Sequence, residues 1–209
     1  MQIPYKPVKS FTLQIRLLIL ILFSIQGLGV DAQYNLDSLY AIWQDPARAD
    51  STRIAAYYRY IWNGFLFSNP DTAAVLAEAL HTYAERNNYP EAAAEGYLFQ
   101  GNVYYLQGNF PAAIDKYEKS VVIFEEIGDT KGIGAILANI GSIYFSKGND
   151  SRALEYYQKA IAIFEKNKDN KGLSPVLANI GLIYSNQNNT ERALEYYQKA
   201  LKIVEEIGY

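Results

Sequence analysis

Apolar residues recur at intervals of three and four along most of the chain, which is the spacing of one face of an α-helix. The clearest faces are formed by Leu137, Ile140 and Tyr144 and by Leu154, Tyr157 and Ile161. The alternation of apolar and polar residues that indicates a strand is absent throughout the sequence. The pattern therefore predicts an all-α protein built from pairs of helices.

Short breaks divide the predicted helices at regular places. Gly108 with Asn109, Gly148 with Asn149, and Asn188 with Asn189 separate the two helices of each pair, and Gly and Asn tolerate the left-handed conformation that ends a helix. Asp129 with Thr130 and Asp169 with Asn170 lie between pairs, where their side chains can cap the next helix. Pro111 and Pro175 are placed early in their helices, where a missing N–H costs little.

The pairs belong to a repeat of 40 residues. The segment Leu-Ala-Asn-Ile-Gly at residues 137–141 returns at residues 177–181, and Arg-Ala-Leu-Glu-Tyr-Tyr-Gln-Lys-Ala at residues 152–160 returns unchanged at residues 192–200. A period of this length indicates stacked supersecondary units, not one globular core. Three full repeats are predicted, at residues 90–129, 130–169 and 170–209.

Five marker residues recur in every unit: a small residue, a tyrosine, an alanine, a second tyrosine and a last small residue. They are Gly101, Tyr104, Ala113, Tyr117 and Ser120; Gly141, Tyr144, Ala153, Tyr157 and Ala160; and Gly181, Tyr184, Ala193, Tyr197 and Ala200. This pattern resembles the tetratricopeptide repeat, whose usual length is about 34 residues, in its longer-helix variety. Only Ser120 departs from the signature, which expects Ala there. The six tyrosines are predicted to be packing residues.

The resemblance implies a right-handed superhelical solenoid of antiparallel helix pairs, in which the first helix of each unit lines a concave groove. The groove candidates carried over are Asn102, Tyr105, Asn139, Ser142, Phe145, Asn179, Leu182 and Asn186, with Leu98, Leu106, Ser146 and Ser185 beside them. Asn139 and Asn179 can each donate to and accept from a peptide backbone. Alternatively, each asparagine stabilises its own repeat by bonding to a neighbouring helix.

Some family members bind a terminal carboxylate with a clamp of Lys, Asn and Arg. Asn102 and Asn139 fit the asparagine places of that clamp, but Leu98, Pro175 and Asn179 occupy the basic places. Without cations, a carboxylate gains no charge-assisted hydrogen bond. We therefore expect a neutral groove that suits an extended or helical peptide with apolar side chains.

Both ends of the array depart from the pattern. Residues 53–89 are interpreted as a degenerate capping repeat whose first helix covers residues 53–67, and residues 33–52 as a lead-in with a short helix. The last helix is expected to leave Leu194, Leu201 and Ile203 poorly covered. The array is accordingly predicted to continue beyond residue 209, or to be covered by a partner or a second copy.

The first 32 residues have the layout of a secretory signal peptide. Lys6, Lys9 and Arg16 precede an apolar run, and Val30 and Ala32 suit cleavage after Ala32. The chain is therefore expected to be exported to the periplasm or cell envelope of a bacterium. The alternative is a membrane anchor formed by residues 17–30, although a span needs about 20 apolar residues.

The charge of the mature chain argues against nucleic acid as a partner. Removing three of the 19 basic and one of the 22 acidic residues leaves 16 against 21, a net charge of −5. No cluster of Lys or Arg is present to neutralise phosphates. A membrane is expected as a partner only through an uncleaved leader or a missing C-terminal region.

Residues suited to chemistry are scarce. The chain has no cysteine and a single histidine, His81, and no nucleophile or acid is spaced to work with it. No metal-ligand spacing and no phosphate-binding glycine loop occurs, so no enzyme activity, cofactor or metal is predicted. The predicted function is a scaffold that binds a partner polypeptide in its groove. The alternative is the sensory N-terminal part of a longer signalling protein, such as a nucleotide cyclase, histidine kinase or transcription regulator, truncated at residue 209.

Overall fold

The computed structural model describes residues 36–208, which form nine helices and no strand. In chain order the helices are α1 Leu36–Gln44, α2 Asp50–Gly64, α3 Pro70–Arg86, α4 Pro90–Leu106, α5 Phe110–Glu126, α6 Thr130–Ser146, α7 Asp150–Asn167, α8 Asn170–Asn186 and α9 Thr190–Glu206. The all-α prediction is confirmed. The predicted signal peptide at residues 1–32 lies outside the described residues. No helix in the described part is both long and apolar enough to cross a membrane.

The predicted breaks and caps are present. Asn109, Asn149 and Asn189 each accept a hydrogen bond from a backbone N–H in the first turn of the helix that follows. Asp129 and Asp169 do the same for α6 and α8. The residues just before the asparagines adopt positive φ, as at Gly148 (71°) and Asn188 (58°). Satisfying the orphan N–H groups in this way fixes where each helix begins.

Each full unit is held together by a tyrosine that packs against a glycine of the partner helix. Tyr117 and Tyr157 have no exposed side-chain surface and lie against Gly101 and Gly141. The absence of a Cβ at the glycine lets the two helices of a pair approach closely. The tightest helix pairs include α4 with α5, α6 with α7, and α8 with α9, as the repeat predicts.

The core runs continuously through the described units. Three apolar clusters follow one another, centred on Ile61 and Leu80, then on Ile136 and Tyr117, and then on Val176 and Tyr157. Neighbouring units therefore share their buried surface, as expected for a solenoid.

The last helix departs from this arrangement. Tyr197, which was predicted to be a packing residue, is 37% exposed, although the matching Tyr157 is fully buried. Leu194 and Leu201 are 53% and 57% exposed, as expected, and Ile203 is half-buried. In α7 the matching face is covered by α8; no helix within the described residues covers it in α9.

One sequence expectation about local structure is wrong. Prolines are well tolerated only in the first turn of a helix. Pro175 lies beyond that turn, inside α8, which begins at Asn170. The Pro175 nitrogen cannot donate to the carbonyl of Lys171. The neighbouring hydrogen bonds and the packing of Val176 compensate, because α8 remains continuous.

The N-terminal helices pack differently from the repeats. α2 lies mainly against α1, and α3 lies mainly against α4, whereas the backbones of α2 and α3 approach each other less closely and their side chains meet in the first apolar cluster. Trp43 at the end of α1 stacks on Tyr57 of α2 with ring centroids 4.4 Å apart. The observed α2, Asp50–Gly64, begins and ends three residues earlier than the predicted helix at residues 53–67.

Candidate functional site

The first helices of the units form an inner layer. Tyr58 of α2 contacts Phe99 of α4 with ring centroids 4.5 Å apart, and Asn139 of α6 reaches Asn102 of α4. The second helices of the units are α3, α5, α7 and α9. No two of them approach each other as closely as the first helices α6 and α8 do. The first helices are therefore on the inner side of the array's curvature, and we call their exposed surface the inner groove.

Polar side chains at the joint between the first two repeats are hydrogen-bonded to one another. The Tyr117 hydroxyl donates to Oδ1 of Asn102 at 2.8 Å, and Nδ2 of Asn139 donates to the same oxygen at 3.4 Å. Asn102 is buried and Asn139 is half-buried. Asn139 thus bonds to a neighbouring helix of the preceding unit and not to its own repeat.

The next joint contains a similar group of side chains. The hydroxyls of Ser142 and Tyr157 lie 3.1 Å apart, and Ser142 also donates to the carbonyl of Ala138 at 3.0 Å. Burial raises the pKa of Tyr157 well above its ordinary value, so the phenol remains a donor. Asn179 approaches this group and is only 4% exposed, yet no group among residues 36–208 is hydrogen-bonded to its Nδ2 atom. The polar groove candidates Asn102, Ser142 and Asn179 are therefore buried between units.

The remaining groove candidates are three apolar or aromatic side chains and one polar side chain. Tyr105, Phe145 and Leu182 are half-buried, and Asn186 is exposed. Burial raises the pKa of Tyr105, and a hydrogen bond with Ser146 partly opposes this. The part of the inner groove that a ligand can reach thus combines partly exposed rings and aliphatic side chains with the exposed amide of Asn186.

Two further groove residues were missed by sequence reasoning. Tyr58 and Trp62 of α2 are stacked, with ring planes 6° apart and centroids 6.3 Å apart. Trp62 also meets Phe99 at 5.8 Å, and its ring contacts Phe67, which is 51% exposed. Tyr58 and Trp62 lie one 40-residue period before Leu98 and Asn102. The repeat spacing could therefore have predicted that they belong to the groove.

A carboxyl group on α4 was also missed. Glu95 is half-buried, and no hydrogen-bond donor or cation among residues 36–208 pairs with it. The pKa of Glu95 is raised to about 7, mainly by burial of the carboxyl group and further by the negative charges of Glu91 and Asp129. The matching residues of the next two units are Ala135 and Pro175, neither of which carries charge.

The histidine is a packing residue. His81 is buried, and its Nδ1 atom lies 3.0 Å from the carbonyl oxygen of Ala93, while Nε2 lies 3.3 Å from a carboxylate oxygen of Glu85. Gly96 allows α4 to pass close to its backbone and Cβ. No group of His, Cys, Asp and Glu in residues 36–208 has the geometry to hold a metal ion.

Comparison with known proteins agrees with this geometry. Two sequence models of the tetratricopeptide repeat match the chain, one at residues 93–166 and the other at residues 174–206. No curated protein matches the sequence.

Solved structures share the fold at low sequence identity. BtubC (BKLC) from P. vanneervenii is 18% identical with a TM-score of 0.65, and the match covers 83% of this chain and 72% of that one. Aspartyl phosphate phosphatase F from Bacillus subtilis is 18% identical with a TM-score of 0.70, covering 78% of this chain and 43% of that one. A signal transduction ATPase with a tetratricopeptide repeat sensor, from Pyrococcus horikoshii, is 21% identical with a TM-score of 0.65. The match covers 80% of this chain and 26% of that one.

The chain thus spans less than half of the last two proteins. Identities this low establish the fold alone. Together with the sequence models and the tyrosine–glycine pairs, they confirm the predicted solenoid. The chain belongs to the tetratricopeptide-repeat family, whose arrays are generally non-catalytic scaffolds for protein–protein interaction.

Proposed function

We propose that this chain is an interaction module that binds a segment of a partner polypeptide along the inner groove. The observation that carries the proposal is that the polar and the apolar side chains of the inner helices differ in their exposure. The polar groups of Asn102 and Ser142 are bonded within the joints, while Tyr105, Phe145 and Leu182 remain partly exposed. An apolar segment gains affinity there mainly by burying its side chains against these residues.

Aromatic residues suit this role because they bury a large area with little loss of conformational freedom. Tyr58, Trp62, Tyr105 and Phe145 supply such rings on three successive inner helices. The net charge of −5 for residues 33–209 makes a polyanionic partner unfavourable. A polypeptide with apolar side chains is therefore the proposed partner, and the module itself is proposed to perform no catalysis.

Tryptophan fluorescence offers a direct test, because the chain contains only two tryptophans. Trp43→Phe would leave Trp62 as the only tryptophan reporter, located in the inner groove. We expect a saturable change in Trp62 emission when a pool of nonapeptides made of Phe, Leu, Tyr and Ala is added. Phe145→Ser should weaken the binding by about fivefold or more, a loss of roughly 1 kcal/mol.

Val122→Ser is the matched control, because Val122 is 52% exposed on α5, outside the inner layer. Its replacement should leave the titration unchanged. If Phe145→Ser and Val122→Ser had the same effect, or if Trp62 emission did not respond to any peptide, the inner groove would not be the binding surface.

A second candidate function is sensing within a longer signalling protein, with this chain as its N-terminal part. The structural likeness to the repeat-containing signal transduction ATPase favours this candidate, because that protein is described as using its repeats as a sensor. An immunoblot of the native cells with an antibody to the repeats tests it. A band near the length of residues 33–209 would reject the longer protein, and a much larger band would support it.

We further propose that the chain is exported, with its leader cleaved after Ala32. The basic start and the apolar run of residues 17–25 support this proposal. Sequencing of the purified mature N-terminus should begin at Gln33. A retained Met1 would instead support an anchor formed by residues 17–30.

A further inference from the structure

Glu95 is an unusual residue for its place in the inner layer. It lies on α4, half-buried, and no cation or hydrogen-bond donor among residues 36–208 compensates for its burial. Placing a carboxylate in such surroundings is unfavourable unless an opposite charge or a donor meets it. Two other acidic groups act on Glu95: Glu91 lies one turn earlier on α4, and Asp129 caps α6.

The fold does not require a carboxyl group at this place. The second repeat has Ala135 and the third has Pro175 at the matching position, and both units form the same helix pair. Replacing Glu95 with Ala would therefore reproduce a packing arrangement that the chain already uses. A group that is costly to bury and unnecessary for the fold is best explained by a role in binding.

The surroundings of Glu95 fit one kind of ligand group. Leu98 and Phe99, one turn further along α4, are almost fully buried, so the group that a ligand reaches at this place is the carboxyl of Glu95 itself. Three acidic groups and no paired cation create a local negative potential. A lysine or arginine side chain carries the opposite charge at the end of a stem that is long enough to reach a half-buried carboxylate.

We propose that Glu95 forms a subsite of the inner groove that accepts a lysine or arginine side chain of the docked partner segment. This inference rests on the proposed function, because it specifies the chemistry of the same partner. The partner segment is then mainly apolar with one basic residue, which pairs with Glu95 by a charge-assisted hydrogen bond. Apolar neighbours of that basic residue pack on the rings of the inner helices.

Matched peptide pools test the inference. Three immobilised nonapeptide pools share the same random apolar positions (Phe, Leu, Tyr and Ala) and carry Lys, norleucine or Glu at the centre. The full chain should be retained about tenfold more tightly by the Lys pool than by the norleucine pool, and least by the Glu pool. Glu95→Ala should abolish the preference for Lys while preserving retention on the norleucine pool.

The variants separate loss of the subsite from loss of folding. Glu95→Ala and Glu95→Gln should both unfold at the same temperature as the wild type or at a higher one, because each removes an unpaired carboxylate. Glu126→Ala, at an exposed position on α5, should leave the preference for Lys intact. A variant that is at least as stable as the wild type and has lost the preference for Lys cannot be explained by misfolding.

The failures are also distinct. Equal retention on the Lys and norleucine pools, or a preference for Lys that survives Glu95→Ala, would overturn the subsite while leaving apolar docking in place. If none of the three pools retained the wild-type chain, the docking function and the subsite would both be rejected.

Discussion

The ring of Tyr157 lies so close to Gly141 that a Cβ added at Gly141 would come within 2.7 Å of it. The same Cβ would lie 3.3 Å from the carbonyl oxygen of Ala153, on the backbone of the partner helix. Neither obstacle can move easily, because Tyr157 is fully buried and hydrogen-bonded to Ser142. This contact sets the separation of α6 and α7.

Gly141→Ala should destabilise the chain, and the third repeat provides a matched control. We expect a loss of about 2 kcal/mol in the free energy of unfolding, within the usual range for overpacking a core. Gly181→Ala meets Tyr197 at a similar distance, but Tyr197 is partly exposed and can turn aside. Its loss should be under about 1 kcal/mol. Urea unfolding of both variants measures the difference, and equal losses would show that the ring of Tyr157 is as mobile as that of Tyr197.

The two asparagines at the joints should respond in opposite ways to replacement by leucine. Asn102→Leu would leave the Tyr117 hydroxyl and the Asn139 amide without their acceptor, at a cost of about 2 kcal/mol. Asn179→Leu would remove an amide whose buried Nδ2 atom has no partner within residues 36–208, so stability should stay the same or rise by up to about 1 kcal/mol. Urea midpoints and slopes of the two variants test this. A large loss in Asn179→Leu would mean that Nδ2 of Asn179 is bonded, for example through an ordered water.

Most of the fold could be predicted from the sequence, because it depends on local and periodic features. The helix breaks at Gly148 and Asn188, the caps at Asp129 and Asp169, and the glycine–tyrosine contacts all follow from residue types at fixed spacing. The repeat multiplies each of these signals. Agreement between local propensity and the periodic pattern is what makes such a prediction reliable.

The candidate site was less predictable, because its properties depend on neighbouring units. The sequence placed Asn102 and Ser142 at the groove, but their burial depends on the tyrosines beside them. The sequence also did not reveal that α1 packs on α2 or that the backbones of α2 and α3 approach each other less closely than those of a full repeat, since the signature is weak before residue 90. Glu95 was overlooked because a single glutamate on a helix is usually solvated, and its burial becomes visible only in three dimensions.

A network centred on Asp50 should hold the N-terminal helices to the repeats. Asp50 accepts hydrogen bonds from Tyr83 and Arg53 through Oδ1, at 2.9 and 2.8 Å, and from Tyr89 through Oδ2. Because the backbones of α2 and α3 approach each other less closely than those of a full repeat, Asp50→Asn should loosen α1 and α2. Hydrogen exchange should accelerate by about fivefold or more in these two helices and stay unchanged in α8. Uniform acceleration in all helices would indicate a global effect.

The same network predicts a sensitivity to acid. Hydrogen bonds from Tyr89 and Tyr83, followed by the effect of Arg53, lower the pKa of Asp50. A carboxyl with a lowered pKa contributes stability that is present at neutral pH and is lost as the pH falls through the lowered pKa. Exchange in α1 and α2 of the wild type should therefore approach that of Asp50→Asn in acid. A constant difference between the two proteins at every pH would contradict this role.

Glu95 should give the opposite dependence on pH. Its pKa is raised from the ordinary value of 4.5 to about 7, so the folded chain holds a proton that the unfolded chain has already released between these values. The folded state then binds more protons, and the free energy of unfolding falls as the pH rises from 4.5 to 7. Below 4.5 both states are protonated, and above 7 both are ionised. The full difference is on the order of 1–2 kcal/mol after allowing for the partial exposure of the side chain.

Glu95→Gln isolates this contribution, because the amide cannot titrate. The variant should match the wild type near pH 4 and exceed it near pH 8 by the same 1–2 kcal/mol or so. Subtracting the two urea-unfolding profiles removes the contributions of every other group, including Asp50. Glu126→Gln, at an exposed position on α5, should leave the wild-type profile unchanged.

If a Lys-containing peptide occupies the subsite, it should abolish the loss of stability above pH 4.5, because the cation stabilises the carboxylate in the folded state. A difference profile that is flat without peptide would show that Glu95 is well solvated and would remove the physical basis for the subsite.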